Sequence, residues 1–322
     1  MYNHYWVTTW RNHATGIRSL VVVGVLLAGF SILAATTAAA AERGRVRIQN
    51  STVMSDRNTM LRGATNTLLD KYVTNWSFWQ YLNVTLGLNA VRFGVKTITI
   101  GRTVEQQLPG LDNAVNAAAA NNLYLMINNS IDPGGYNIAE LKKFWSVVAP
   151  RYRNRTHVFY EMTNEPTKGA PQWGDARQYT DSVRADIKAL YDIMRSAAPD
   201  THIVLFSGAN LFPDCNTYAA MVDKLPGIDW TRTSIGFHHY AGTQKFGETG
   251  LNCLRQKYPM IMTETNYWVG SQPAVLRDAL SLYEKIDMSW FSLDGKGRNA
   301  QRLENEILPA LHAAGYNWPM EN

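Results

Sequence analysis

From Thr59 onward, short apolar runs alternate with longer stretches whose apolar positions recur every three or four residues. The short runs have the length and the continuous apolar character of strands buried on both faces. They predict strands at Met60–Thr65, Asn89–Val95, Leu123–Asn128, His157–Thr163, His202–Ser207, Ser234–His239, Met260–Glu264 and Met288–Leu293. A helical stretch follows each: Ser77–Leu86, Leu111–Asn121, Asn137–Tyr152, Asp175–Ala198, Thr217–Leu225, Leu251–Lys257, Ala274–Ile286 and Ala300–Ala314. The clearest stripe is Tyr179, Val183, Ile187, Leu190 and Met194, spaced to lie on one helix face. Eight strand–helix pairs in about 260 residues fit a single (β/α)8 TIM barrel. A doubly wound open sheet would need a phosphate-binding glycine loop after an early strand, and none is present.

One segment breaks this pattern. Ser19–Ala41 is continuously apolar, follows Arg11 and Arg18, and ends in small residues. It reads as a secretory signal cleaved near Ala41, with an uncleaved membrane anchor as the alternative. Residues 1–41 are therefore set apart from a folded domain at 42–322, which is expected outside the cytoplasm, secreted or periplasmic. In that compartment Cys215 and Cys253, the chain's two cysteines, are expected to pair as a disulfide. They match no zinc spacing. The net charge of +5 is modest and no Lys/Arg run with interleaved aromatics occurs, so nucleic acid is not the expected partner. Ten Trp and sixteen Tyr are more suggestive, because flat aromatic faces suit sugar rings as well as cores.

Chemistry concentrates where the predicted strands end. The stretch Thr156–Pro166, THVFYEMTNEP, is a buried strand that delivers Asn164 and Glu165 where Pro166 stops the ladder. Strand two carries Arg92, strand three ends in Asn128 and Asn129, and strand six ends in His238, His239 and Tyr240. Strand seven ends at Glu264, and strand eight carries Trp290. A closed barrel gathers these ends around one mouth, the face at which substrates bind in this architecture.

In that order the pieces resemble glycoside hydrolase family 5. Leu61-Arg62-Gly63 is similar to its first strand, and Leu86–Arg92 to the approach of its active-site arginine. Phe159–Pro166 is similar to its acid/base strand, His238-x-Tyr240 to its sixth strand and Glu264 to its nucleophile. The resemblance covers most of the chain after residue 59. It implies that Glu165 is the acid/base and Glu264 the nucleophile, with no metal or organic cofactor. It implies that Arg92 and Tyr240 hold Glu264, that Asn164 and Asn128 face the sugar, that His238 stands beside the acid/base, and that Trp290 floors the cleavage site. Glu161 and His239 are expected to be structural, Glu161 paired with Arg62, while Trp173, Tyr267 and Trp268 are expected to line outer sugar sites. The chain departs from the family at Asn128-Asn129-Ser130, where a histidine is common, and at Thr263 and Thr265, where glycine often flanks the nucleophile.

The implied activity is retaining, cellulase-like hydrolysis of a β-linked glucan within the polymer, the polysaccharide being the partner. A β-mannanase or a trimmer of the cell's own exopolysaccharide is the alternative among enzymes. An inactive polysaccharide-binding barrel in an export apparatus, tethered through residues 19–41, is the alternative from another class.

Overall fold

The computed structural model describes residues 42–67, 74–97, 101–129, 137–164, 180–209, 219, 220, 222–241, 248–267, 273–293 and 301–318. All of these belong to a unit spanning Ala39–Asn322. The signal or anchor expected at 1–41 lies outside the described residues; of the helix expected at Thr217–Leu225, residues 219, 220 and 222–225 are described, the first three of them helical. Among the described residues, no helix is long and apolar enough to cross a membrane.

The strands in chain order are β1 (Arg47–Gln49), β2 (Thr52–Met54), β3 (Arg62–Thr67), β4 (Ala90–Val95) and β5 (Tyr124–Asn129). They continue with β6 (Val158–Glu161), β7 (Ile203–Ala209), β8 (Thr233–Ala241), β9 (Met260–Tyr267) and β10 (Trp290–Ser292). The last eight pair in parallel in the order β3-β4-β5-β6-β7-β8-β9-β10, and β10 returns to β3. That closes the expected barrel, with every predicted strand present and its edges within a few residues of expectation.

The helices with described bounds are α1 (Trp76–Gln80), α2 (Val104–Ala120), α3 (Ile138–Tyr152), α4 (Asp181–Ala197), α5 (Glu248–Arg255), α6 (Pro273–Lys285) and α7 (Leu308–Ala313). Their starts follow local chemistry. Thr180 caps α4 by accepting from the Val183 N–H, and of the predicted stripe, Val183, Ile187, Leu190 and Met194 are fully buried, while Tyr179 lies outside the described residues. Helix α2 begins seven residues before the expected Leu111, because Thr103 and Gln106 form a reciprocal capping box that outweighs the bond lost at Pro109. The predicted helices at Ser77–Leu86 and Ala300–Ala314 each contain a π-turn, at Tyr81–Thr85 and Leu303–Ile307.

One element has no counterpart in the sequence reading. β1 and β2 form an antiparallel hairpin through Asn50 and Ser51, whose φ angles of 51° and 57° give the left-handed turn that matches strand twist. Thr52 pairs with Met260 at the start of β9. Val46 and Val53 thereby join Leu61, Ala90, Tyr124, Met126, Phe159, Val204, Ile261 and Phe291 in an apolar cluster inside the barrel. The early residues of the strands are thus sealed from below. Outside, the opposite face of each strand packs on the helices in a larger core.

Within the sealed end, Gly63 passes so close to β10 that a Cβ there would lie 2.3 Å from the Phe291 ring and 3.0 Å from the Ala90 carbonyl oxygen. Gly63→Ala is expected to cost about 1–3 kcal/mol by overpacking, read as a lower urea midpoint with an unchanged m-value. A variant as stable as the wild type would contradict this packing.

Candidate active site

Arg92 on β4 organises the polar end of the barrel. Strand alternation sends Val91 and Phe93 to the helix layer and Arg92 inward. Its guanidinium divides among three partners. Nε donates to Glu161 Oε2 at 2.6 Å, Nη1 to Glu264 Oε2 at 2.7 Å and Nη2 to Asn164 Oδ1 at 2.7 Å. Asn128 on β5 adds a donor, Nδ2 to Glu161 Oε2 at 2.7 Å. Arg92 is 2% exposed, Glu161 0% and Glu264 7%, so the charges meet almost out of water. Only arginine presents donors in a planar fork that reaches three acceptors at once.

Glu264 reaches this cluster because β9 carries an extra residue. Met262 pairs with Phe237 on one side and Trp290 on the other, yet the next pairs are His238 with Glu264 and Ser292 with Thr265. The β8 register places a bulge at Thr263, and the β10 register puts the extra residue between Met262 and Thr265. Ile261 faces the barrel interior and Met262 the helices, so simple alternation would point Glu264 outward; the bulge reverses the parity. Thr263 Oγ1 and Thr265 Oγ1 donate to the Phe237 and His239 carbonyls at 3.3 and 2.8 Å, binding the bulged segment to β8. Threonine therefore has a role where the family often has glycine.

The end of β6 is held as firmly. Trp145 Nε1 on α3 donates to the Met162 carbonyl at 2.7 Å, and the Asn164 N–H donates to the Asn129 carbonyl at 3.0 Å. These contacts fix the backbone one residue before Glu165, which itself lies outside the described residues.

The expected site residues divide accordingly. Arg92, Asn164 and Glu264 come together. His238 is buried on the same side, its Nδ1 4.0 Å from Glu264 Oε1; Glu264 is its carboxylate neighbour among the described residues. Asn128 is fully buried behind Arg92 and spends a donor on Glu161, so the expected direct contact with sugar is corrected to a supporting one. Tyr240 lies on β8 opposite Asn266, with its side chain outside the description. Trp173 and Trp268 lie outside it too, as does the side chain of Tyr267 on β9. Cys253 lies on α5; Cys215 is not among the described residues.

Two expectations are overturned. Trp290 does not floor the site. It pairs in register with Arg62 and Met262, both on the outward side, and is fully buried with Nε1 donating to Glu284 Oε1 at 2.8 Å. Arg62 does not pair with Glu161. It points outward to α6, where Nε and Nη2 hold Glu284 at 2.8 and 2.7 Å and the guanidinium stacks on Trp318. Parity decides both cases: Arg62 and Arg92 sit on opposite faces of adjacent strands. His239 is structural as expected, its Nδ1 2.6 Å from the Tyr283 hydroxyl.

A closed parallel barrel with an arginine–carboxylate cluster at the carboxyl ends of its strands defines the class of barrel enzymes. Residues 55–278 match the profile of cellulases, glycosyl hydrolase family 5, and the chain belongs to that family. It is 26% identical over 196 residues to endoglucanase A of Butyrivibrio fibrisolvens, a match covering 57% of this chain and 42% of that protein. Endoglucanase E-5 of Thermobifida fusca is 25% identical over 158 residues, 47% of this chain and 31% of the relative. The chain thus spans less than half the length of these relatives. The catalytic domain of Thermobifida fusca endoglucanase Cel5A superposes with a TM-score of 0.63 at 17% identity, over 78% of this chain and 84% of that one.

Two measurements check this arrangement. Arg92→Met leaves two buried carboxylates without their common cation and is expected to cost about 3–5 kcal/mol, measured by urea unfolding; a loss under about 1 kcal/mol would place the charges in water instead. Burial lowers His202 to about 3 and His239 to about 4. The unfolded chain, with histidines near 6.5, binds protons that the folded chain refuses. The stability that depends on these two histidines is therefore complete above about pH 6.5 and falls toward pH 4, by ~1.4 kcal/mol per pH unit for each. His239→Gln is expected to flatten that slope in unfolding titrations from pH 7.5 to 4.5.

Proposed function

We propose that this chain is a retaining β-glycoside hydrolase acting within a β-linked glucan, with Glu264 as nucleophile and Glu165 as acid/base. The observation that carries the reading is the Arg92–Glu264 pair at 2.7 Å, turned into the barrel mouth by a bulge. A carboxylate held this way by one oxygen is prevented from rotating away from the mouth. Family membership and the curated endoglucanases that the chain resembles supply the substrate class.

The chemistry then runs in two steps. Glu165 gives its proton to the glycosidic oxygen while Glu264 attacks the anomeric carbon, forming a glycosyl–enzyme ester and releasing the leaving sugar. Water, deprotonated by Glu165, then attacks the same carbon from the face the leaving group vacated, and Glu264 departs as carboxylate. Two inversions give net retention, for which the carboxyls must stand ~5–5.5 Å apart. Asn164, whose carbonyl oxygen is held by Arg92, is left with its amide N–H groups to donate to the 2-hydroxyl as oxocarbenium character develops. His238, beside Glu264, lines the same wall.

The same reading places the enzyme outside the cytoplasm, through a signal or anchor within residues 1–41. It pairs Cys215 with Cys253, in keeping with the lack of a free cysteine among the described residues.

The test is reducing-sugar release from a panel of β-glucans and β-mannans. Wild type is expected to cleave a β-glucan, and Glu165→Gln to lose about 10²–10⁴-fold in rate. Glu264→Ala is expected to be inactive and to regain turnover with azide, giving the α-glycosyl azide. Binding without release from any polymer would leave a polysaccharide-binding barrel in place of the enzyme.

A further inference from the structure

Glu161 carries more than a structural load. It is a fully buried carboxylate, 0% exposed, four residues before the acid/base position, and it lies on the inner face of β6. Its Oε2 takes donors from both Arg92 and Asn128, while its Oε1 is buried with no hydrogen-bond partner. A group present only to satisfy the barrel would have both oxygens engaged. The count of charges is also uneven. One guanidinium serves two carboxylates, Glu161 at 2.6 Å and Glu264 at 2.7 Å. Among the described residues, the titratable groups facing this cluster are Glu264 from β9 and His238 from β8. β5 contributes the neutral Asn128, β3 sets Thr65 beside Arg92 in register, and Phe159, Val204 and Phe291 from β6, β7 and β10 are apolar.

We propose that Glu161 is a positioning residue that tunes the nucleophile, by holding the Arg92 fork in the orientation that reaches Glu264 and by taking a share of its positive charge. An arginine devoted to Glu264 alone would stabilise its carboxylate too well, making it a weaker base and a poorer nucleophile. Sharing leaves Glu264 oriented but less fully neutralised. The second negative charge also bears on the acid/base of that reading, favouring the protonated form that the first step needs. Glu161 touches neither substrate nor reacting atoms; it acts through Arg92.

The proposal rests on the retaining-hydrolase reading. The experiment is the pH profile of kcat/KM for wild type and Glu161→Gln on a soluble β-glucan. The acid limb reports the group that must be ionised, Glu264 in this reading. Removing the Glu161 charge is expected to move that limb down by about one pH unit and to lower kcat about tenfold, with KM within about twofold of wild type. An unmoved acid limb, whatever happens to kcat or to thermal stability, would make Glu161 merely structural and overturn the proposal. If Glu161→Gln does not fold, Glu161→Asp keeps the charge but draws it back from Arg92. It is expected to shift the limb the same way by less, and an unmoved limb there overturns the proposal equally. Glu264→Ala at wild-type turnover would instead overturn the reading of the reaction itself, so the two failures are distinguishable.

Discussion

A single guanidinium shared by two buried carboxylates is the constraint around which the polar half of this barrel is built. Glu161, Arg92 and Glu264 come from β6, β4 and β9 and meet at 2.6 and 2.7 Å with almost no solvent access. Taking such charges out of water is costly, and their mutual attraction offsets the cost only if distances and donors are nearly ideal. Every neighbouring element must therefore be fixed. A shift of β9 by one residue would remove Glu264 and leave Arg92 with the wrong partners. The cluster thus makes barrel closure and site geometry a single requirement.

The rest of the architecture can be read as the means of meeting it. The β1–β2 hairpin and the apolar residues early in each strand fill one end of the barrel, and the arginine–carboxylate cluster lies toward the other. The bulge at Thr263 turns Glu264 inward without disturbing the apolar alternation below it. Trp145 reaches from α3 to fix the backbone where β6 ends. These are packing and hydrogen-bond devices, yet each has its effect at the mouth, which ties stability to function along the same strands.

The outer face holds a second cluster of similar composition and different use. Arg62, Glu284 and Trp290 join a guanidinium, a carboxylate and an indole N–H between β3, α6 and β10, with Trp318 stacked above. It is closed off from the barrel mouth, so it joins the helix layer to the strands. Two arginine–glutamate pairs on adjacent strands thus play different parts because one faces in and the other out. Residue type says what each pair can do; direction says which does it.

Much of this was legible along the chain. Continuous apolar runs and three-or-four-residue periodicity determined the eight strands, most of the helices and the barrel, because burial on both faces leaves a composition signal wherever it occurs. The same runs set Arg92, Asn164 and Glu264 on or just past strands that the barrel brings together. What they could not show was direction. The expected Arg62–Glu161 pair and the Trp290 floor failed because alternation has to be anchored to a known face. The inward turn of Glu264 depends on an extra residue that has meaning only opposite β8 and β10. The hairpin at Asn50–Ser51 escaped notice because three-residue strands are too short for a periodic signal. Sequence determined which elements form and which chemistry they carry, since both are local properties. Tertiary structure alone decided which face each side chain took and which charges had to share a partner, since both depend on registers between strands far apart in the chain.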